Sequence, residues 1–206
     1  AVKKISLTQP NLRDDKSKLN LVREVELMQS LQHPNIVSFI DIIRTPTEWY
    51  IMMEYCSGGT LKNIIDEHRD MVKGFGSEVI KEENTRNYLS QLCSALAYLR
   101  RKGYYHRDLK PANILLARAP EGEQGFVVKL ADFGLSKCFE DAEEMTMTVC
   151  GSPYYMAPEI IIDKNYNSQA DLWSIGIIMY ELLFGTLPYT VKTIRELTNC
   201  LRSESI

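Results

Sequence analysis

Between residues 106 and 132 the chain gathers side chains able to handle protons, metal ions and anions. The run His106-Arg107-Asp108-Leu109-Lys110-Pro111-Ala112-Asn113 holds a carboxylate, two cations and an amide, and Asp132 follows in Asp132-Phe133-Gly134. A carboxylate on a loop can accept the proton of an attacking hydroxyl. An amide oxygen and a second carboxylate are hard donors of the kind Mg²⁺ takes. Lys110 can balance charge on a transferring anion. Arg107, directly before Asp108, is a cation that needs an anion to settle it. Taken singly, Asp108, Asn113 and Asp132 are also ordinary loop and turn formers, and His106 reads as a structural histidine.

These residues must be positioned by the elements around them. Residues 1–5 read as the end of a strand, followed by a polar connection up to Lys18. From Leu19 to Gln32 the pattern is helical, with Leu27, Met28 and Leu31 at helical spacing from Glu24. His33-Pro34-Asn35 stops that helix, because proline disfavours helical geometry in the residue before it. Ile36–Ile43 and Trp49–Tyr55 read as strands joined by Thr45-Pro46-Thr47-Glu48. A short helix follows from Thr60, and a longer one over Glu83–Lys102 carries Tyr88, Leu92, Leu96 and Leu99 on one face, with Gly103 beyond its end. Ile114–Leu116 and Phe126–Leu130 read as short strands. Residues 169–184 are apolar nearly all round and predict a buried helix.

Composition narrows the function classes. The 206 residues are 45% hydrophobic and 25% charged, an ordinary globular balance. With 24 Lys+Arg against 27 Asp+Glu, the net charge of −3 argues against a nucleic-acid partner, which favours a basic stripe. The most apolar run, Leu172 to Gly185, contains Ser174 and Glu181 and is too short to span a bilayer, so no transmembrane segment is expected. Five cysteines without a C-x-x-C pair point to neither a zinc site nor a disulfide framework. Reduced thiols suit a cytoplasmic setting.

H-R-D-L-x-x-x-N at 106–113, D-F-G at 132–134 and Ala157-Pro158-Glu159 occur in one order, each between fitting elements. In this the chain resembles the eukaryotic Ser/Thr protein kinases over nearly its whole length. The resemblance implies an α+β, bilobal protein-kinase-like fold: an incomplete β-rich N-lobe over 1–56 and a larger helical C-lobe, also incomplete, over 57–206. It implies transfer of the γ-phosphoryl of ATP, with Mg²⁺, to Ser/Thr hydroxyls of protein substrates. Asp108 is then the base, Lys110 the charge balance on the γ-phosphoryl, and Asn113 and Asp132 the metal ligands. Lys110 within R-D-L-K-P resembles the Ser/Thr class. Small-molecule kinases of similar fold lack the Ala157-Pro158-Glu159 segment.

The same resemblance assigns the nucleotide site. Ala1-Val2-Lys3 matches the A-x-K ending of the family's third strand, so Lys3 would hold the α- and β-phosphates, paired with Glu24. A carboxylate on an apolar helix face is costly unless it finds a cation. Lys4, the rival lysine, would point to the opposite face of the strand. Met53 would stand behind adenine, Glu54 and Cys56 would supply backbone hydrogen bonds to it, and Ala1 and Leu115 would sandwich it. Met28, Phe39, His106 and Phe133 would stack as a spine, and Asp171 would anchor the loop before Asp108.

Regulation follows from Arg107. Its expected anion is a phosphothreonine: Thr148 matches the family's activation-loop site, Thr146 is second, and Ser152 falls where a Ser or Thr bonds the catalytic Asp and Lys. The phosphate would come from an upstream kinase or from autophosphorylation in trans. Glu54-Tyr55-Cys56-Ser57-Gly58-Gly59 and the stretch Cys150–Glu159 resemble the autophagy-initiating Unc-51-like kinases. No G-x-G-x-x-G occurs, so the resemblance implies a catalytic domain clipped before Ala1 and after Ile206. A catalytically weak kinase-like interaction module is the alternative.

Overall fold

The computed structural model describes residues 1–8, 15–71, 79–119, 125–133, 137–138, 153–162 and 169–203. Strands β1 (Val2–Ser6), β2 (Phe39–Arg44) and β3 (Glu48–Met53) form an antiparallel sheet in the order β1-β3-β2. Lys3 lies opposite Ile51, and the hairpin between β2 and β3 closes where Thr45 N–H donates to the Glu48 carbonyl at 2.8 Å. Helix α1 runs Asp15–Ser30 between β1 and β2. It starts earlier than the expected Leu19 because its first turn is polar and carries no apolar periodicity.

The second strand starts at Phe39 rather than Ile36 for a physical reason. The apolar run from Ile36 serves two partners in succession. Ile36 bridges Leu130 in parallel, Val37 N–H donates to the Leu130 carbonyl at 3.0 Å, and only from Phe39 does the chain join β3. Buried Asn35 completes the junction, its Nδ2 donating to Gln91 Oε1 at 2.9 Å and to the Val128 carbonyl at 3.1 Å. The segment after α1 is thereby stitched to the helical half, with the His33 ring lying 5.1 Å from that of Tyr98.

That half comprises α2 (Leu61–Met71), α3 (Glu82–Arg101), β4 (Tyr104–Tyr105), β5 (Ile114–Arg118), β6 (Phe126–Leu130), β7 (Lys137–Cys138), α4 (Pro158–Ile161), α5 (Ala170–Phe184) and α6 (Ile194–Arg202). β5 and β6 pair antiparallel, as do β4 and β7. Leu92 and Leu99 of α3, Ile114 and Leu116 of β5, Val128 and Leu130 of β6, and Ile178 and Leu182 of α5 share one buried core. Each such side chain contributes about 1.5–3 kcal/mol of burial. Helix α6 is capped by Thr193, whose Oγ1 accepts from Glu196 N–H at 3.2 Å.

Two glycines let the chain cross from β3 onto β5. Gly58 N–H donates to the Leu116 carbonyl at 2.7 Å, and a Cβ there would meet that oxygen and the Phe126 ring at the same 2.7 Å. Gly59 follows with φ +73°, a conformation glycine adopts without penalty.

Helix α5 departs from its expected burial. Ala170, Asp171, Ser174, Ile177, Ile178, Glu181 and Leu182 are buried, whereas Leu172 is 56% and Phe184 53% exposed, with Met179 and Tyr180 on the same side. The described residues pack against one side of the helix only. All-round apolarity records no direction of packing, so the pattern could not show this.

Candidate active site

The loop from β4 to β5 carries Arg107, Asp108, Lys110 and Asn113, held from below by α5. Asp171, in the first turn of α5, accepts from His106 N–H at 3.1 Å through Oδ2 and from Arg107 N–H at 3.2 Å through Oδ1. Arg107 has φ +70°, and Asp132, at the other side of the site, has φ +63°. Non-glycine residues in this region cost about 1–3 kcal/mol and persist only where surrounding contacts over-determine them. Asp171 supplies such contacts to Arg107.

His106 is buried and bridges the two loops. Its Nε2 lies 3.0 Å from the Ala131 carbonyl, which can only accept, so Nε2 carries the proton and Nδ1 faces Asp108 N–H at 3.4 Å. Burial outweighs the pull of Asp171 and pushes this imidazole below its ordinary value, keeping it neutral. The His106 ring meets that of Phe133 edge-on at 5.3 Å. Met28 and Phe133 lie in the same buried core, with Phe39 packed against it, and His106 reaches that core through Phe133.

Asp108 is gripped from two sides. Its Oδ2 receives Lys110 Nζ at 2.6 Å and Asn113 Nδ2 at 2.9 Å, and Asn113 Nδ2 also reaches the Asp108 carbonyl at 2.8 Å. The Asp108 side chain is 11% exposed. With its nitrogen committed, Asn113 offers a cation its Oδ1. Asp132 stands close by, because Ala131 N–H donates to the Asn113 carbonyl at 3.0 Å.

Lys3 closes the site from the sheet. Its Nζ lies 3.2 Å from both Glu24 Oε1 on α1 and Asp132 Oδ1. Burial opposes the charge, but the two carboxylates outweigh it and hold the ammonium above the ordinary lysine range. Lys4 goes instead to Glu48 at 2.7 Å, on the other face of the strand.

The residues expected around adenine are held on the strands and on the segment after β3. Met53 N–H donates to the Ala1 carbonyl at 2.9 Å, Leu115 is half-buried on β5 opposite Lys129, and Cys56 is buried, its thiol pushed up by burial and then by Glu54. Glu54 accepts from Lys129 Nζ through Oε1 at 2.7 Å and from Ser38 N–H through Oε2 at 3.2 Å. Burial opposes its ionisation, yet those two donors hold its carboxyl below the ordinary range. Thr146, Thr148 and Ser152 lie outside the described residues.

Sequence reasoning missed several members of this neighbourhood. Beside Asp108 a small cleft is lined by Leu109, Tyr155, Met156 and Ile160. Tyr155 is fixed there by its hydroxyl, which donates to buried Glu181 Oε2 at 2.6 Å, and by its carbonyl, which accepts from Ser174 Oγ at 2.7 Å. Lys62 Nζ reaches the other Glu181 oxygen at 3.4 Å. Burial first, then Glu181, raises the Tyr155 hydroxyl far above its ordinary value. A glutamate inside the apolar run 172–185 was the available signal, since a buried carboxylate needs donors. Lys129 between buried Val128 and Leu130 was a second.

Across residues 1–205 the chain matches the family model for the protein kinase domain. The chain belongs to the protein kinase family. Its relatives include a serine/threonine-protein kinase of Acanthamoeba polyphaga mimivirus, 44% identical over all of this chain and 48% of that protein. The serine/threonine-protein kinase atg1 of Dictyostelium discoideum is 40% identical over 95% of this chain and 28% of its own length. The serine/threonine-protein kinase unc-51 of Caenorhabditis elegans is 37% identical over 86% and 20%. This kinase chain spans less than half the length of each of them. The fold is the partial bilobal one of the family, with a small antiparallel sheet and a helical body. None of its described helices is long and apolar enough to cross a membrane.

Proposed function

We propose that this domain transfers the γ-phosphoryl of Mg·ATP to serine and threonine hydroxyls of protein substrates. The observation that carries the reading is the grip of Lys110 and Asn113 on one nearly buried Asp108 carboxylate. Asp108 accepts the proton of the attacking hydroxyl, and its two donors fix where that proton goes. Lys110 leans from this pair toward the transferring charge. Lys3, held by Glu24, binds the α- and β-phosphates, exchanging its contact with Asp132 for them.

The donor set suits Mg²⁺, which takes one or two protein oxygens and completes its shell from phosphate and water. Among the described residues no group of three or more His, Cys, Asp or Glu forms an all-protein cage; Asn113 and Asp132 would hold the ion. Held by these two residues, Mg²⁺ would supply charge neutralisation to the nucleotide phosphates. Glu54 and Cys56 offer backbone groups to the adenine, with Met53 behind it and Ala1 and Leu115 on either side. In this reading residues 1–56 form the small lobe and 57–206 the large one.

The test is incubation of the 206-residue chain with Mg·ATP and casein, followed by phosphoamino-acid analysis. Phosphoserine and phosphothreonine without phosphotyrosine are expected. Nucleotide binding without transfer would favour a kinase-like interaction module instead.

The resemblance to Unc-51-like kinases, with atg1 and unc-51 among the relatives, supports a role in initiating autophagy. The thiols of Cys56, Cys93 and Cys200 suit a cytoplasmic setting. Arg107 beside the base is the anchor for phospho-Thr148, placed by an upstream kinase or in trans, with Thr146 and Ser152 as its neighbours. Thr148→Ala is expected to lower kcat at least about tenfold, since one charge-assisted contact of ~1.4 kcal/mol is a factor of ten. Steady-state peptide phosphorylation reads this, and unchanged kcat would discard the switch.

A further inference from the structure

Glu54 opens the segment assigned to adenine, and β6 ends two residues before Asp132, assigned to the metal. The backbone between these ends of the nucleotide site passes through α2, α3, β4, β5 and β6. A side-chain contact shortens that route, Lys129 Nζ to Glu54 Oε1 at 2.7 Å, with the two side chains 13% and 26% exposed. The second Glu54 oxygen is occupied by Ser38 N–H, while Glu54 N–H donates back to the Ser38 carbonyl at 2.9 Å. Residues 35–38 in turn lie along β6, through Leu130 N–H to the Asn35 carbonyl at 2.9 Å and Val37 N–H to the Leu130 carbonyl at 3.0 Å. The segment that opens at Glu54, the segment after α1 and β6 are thus tied together by backbone hydrogen bonds, and the Glu54 carboxylate takes a donor from each of the other two.

We propose that Lys129 is a positioning residue for the nucleotide, setting the distance between the adenine-binding backbone and the Asp132 metal site through its ion pair with Glu54. The inference rests on the nucleotide site proposed above, but not on phosphoryl transfer. A ligand engaging both ends must find them already spaced; otherwise it spends binding energy on ordering them. A ligand engaging only the adenine end is indifferent to that spacing. Partly shielded from water, the pair is worth more than an exposed one. Removing Lys129 also leaves a half-buried carboxylate without its counter-ion.

The experiment compares Mg·ATP and adenosine binding by calorimetry in the wild type, Lys129→Met and Lys129→Arg. In Lys129→Met the Kd for Mg·ATP should rise about five- to tenfold, while that for adenosine stays within about twofold. Lys129→Arg keeps the charge and should restore Mg·ATP binding. A parallel loss for both ligands would mean that Lys129 only holds the fold together, and equal Mg·ATP affinity in all three proteins would mean that the pair spaces nothing; either result overturns the proposal. A wild type that binds no nucleotide overturns it together with the nucleotide site. A wild type that binds Mg·ATP with the expected pattern but transfers no phosphate leaves this inference standing and removes the catalytic reading alone.

Discussion

Asp108→Asn should lower kcat about 10²–10⁴-fold, the range supplied by a positioned proton acceptor, with the Kd for Mg·ADP nearly unchanged. The geometry separates these two effects. An asparagine oxygen can still accept from Lys110 Nζ and Asn113 Nδ2, now 2.6 and 2.9 Å from Asp108 Oδ2, so the loop keeps its shape. The amide cannot take the hydroxyl proton. Lys3, Glu24 and Asp132, which meet at 3.2 Å on the far side of the site, are untouched. Rapid-quench single-turnover kinetics separate the chemical step from product release. A chemical step as fast as the wild type would remove Asp108 from the role of base.

The second large effect concerns Asp171, which shapes the loop that carries Asp108. Asp171→Ala strands the buried N–H of His106 and the half-buried N–H of Arg107, both now donating to its carboxylate. Hydrogen bonds to a charged acceptor contribute about 1.5–3 kcal/mol each, so a loss of about 3–6 kcal/mol is expected for the two. Against a total of about 5–15 kcal/mol for a domain, that brings the variant close to unfolding at 37 °C. It also frees Arg107 from its φ of +70°, which places Asp108. Asp171→Asn is the readable companion, since one amide oxygen can still accept one of the two donors. It should remain folded, lose about 1.5–3 kcal/mol in urea titration, and show a lowered kcat with little change in nucleotide affinity. If Asp171→Asn matched the wild type in both stability and kcat, α5 would not be what positions the loop.

Asp108, Lys110 and Asn113 were legible as a unit because they lie within one short loop, where spacing in the chain is nearly spacing in space. The pairing of Lys3 with Glu24 was legible for a different reason. The A-x-K resemblance singled out Lys3, a carboxylate among Leu27, Met28 and Leu31 demands a cation, and the alternation of β1 turns the rival Lys4 to the other face. Helix and strand types followed from their periodicities. The starts of α1 and β2 did not, since a polar first turn has no apolar period and one apolar run can pair with two neighbours in turn.

What the residues determined by themselves was the family, and the carboxylates, amide and cations that its motifs set in this order. Only the tertiary structure decided which of these groups touch. Lys3 meets Asp132 across a separation of 129 residues in the chain, not because of any local pattern. The left-handed backbone of Arg107 and Asp132, the capture of Tyr155 by Glu181 and the clasp of Glu54 by Lys129 arise in the same way. The side-chain pairs among these join elements distant in the chain, and packing sets both the distance between partners and their shielding from water. Periodicity sees one element at a time; an ion pair between elements exists only once both have been placed.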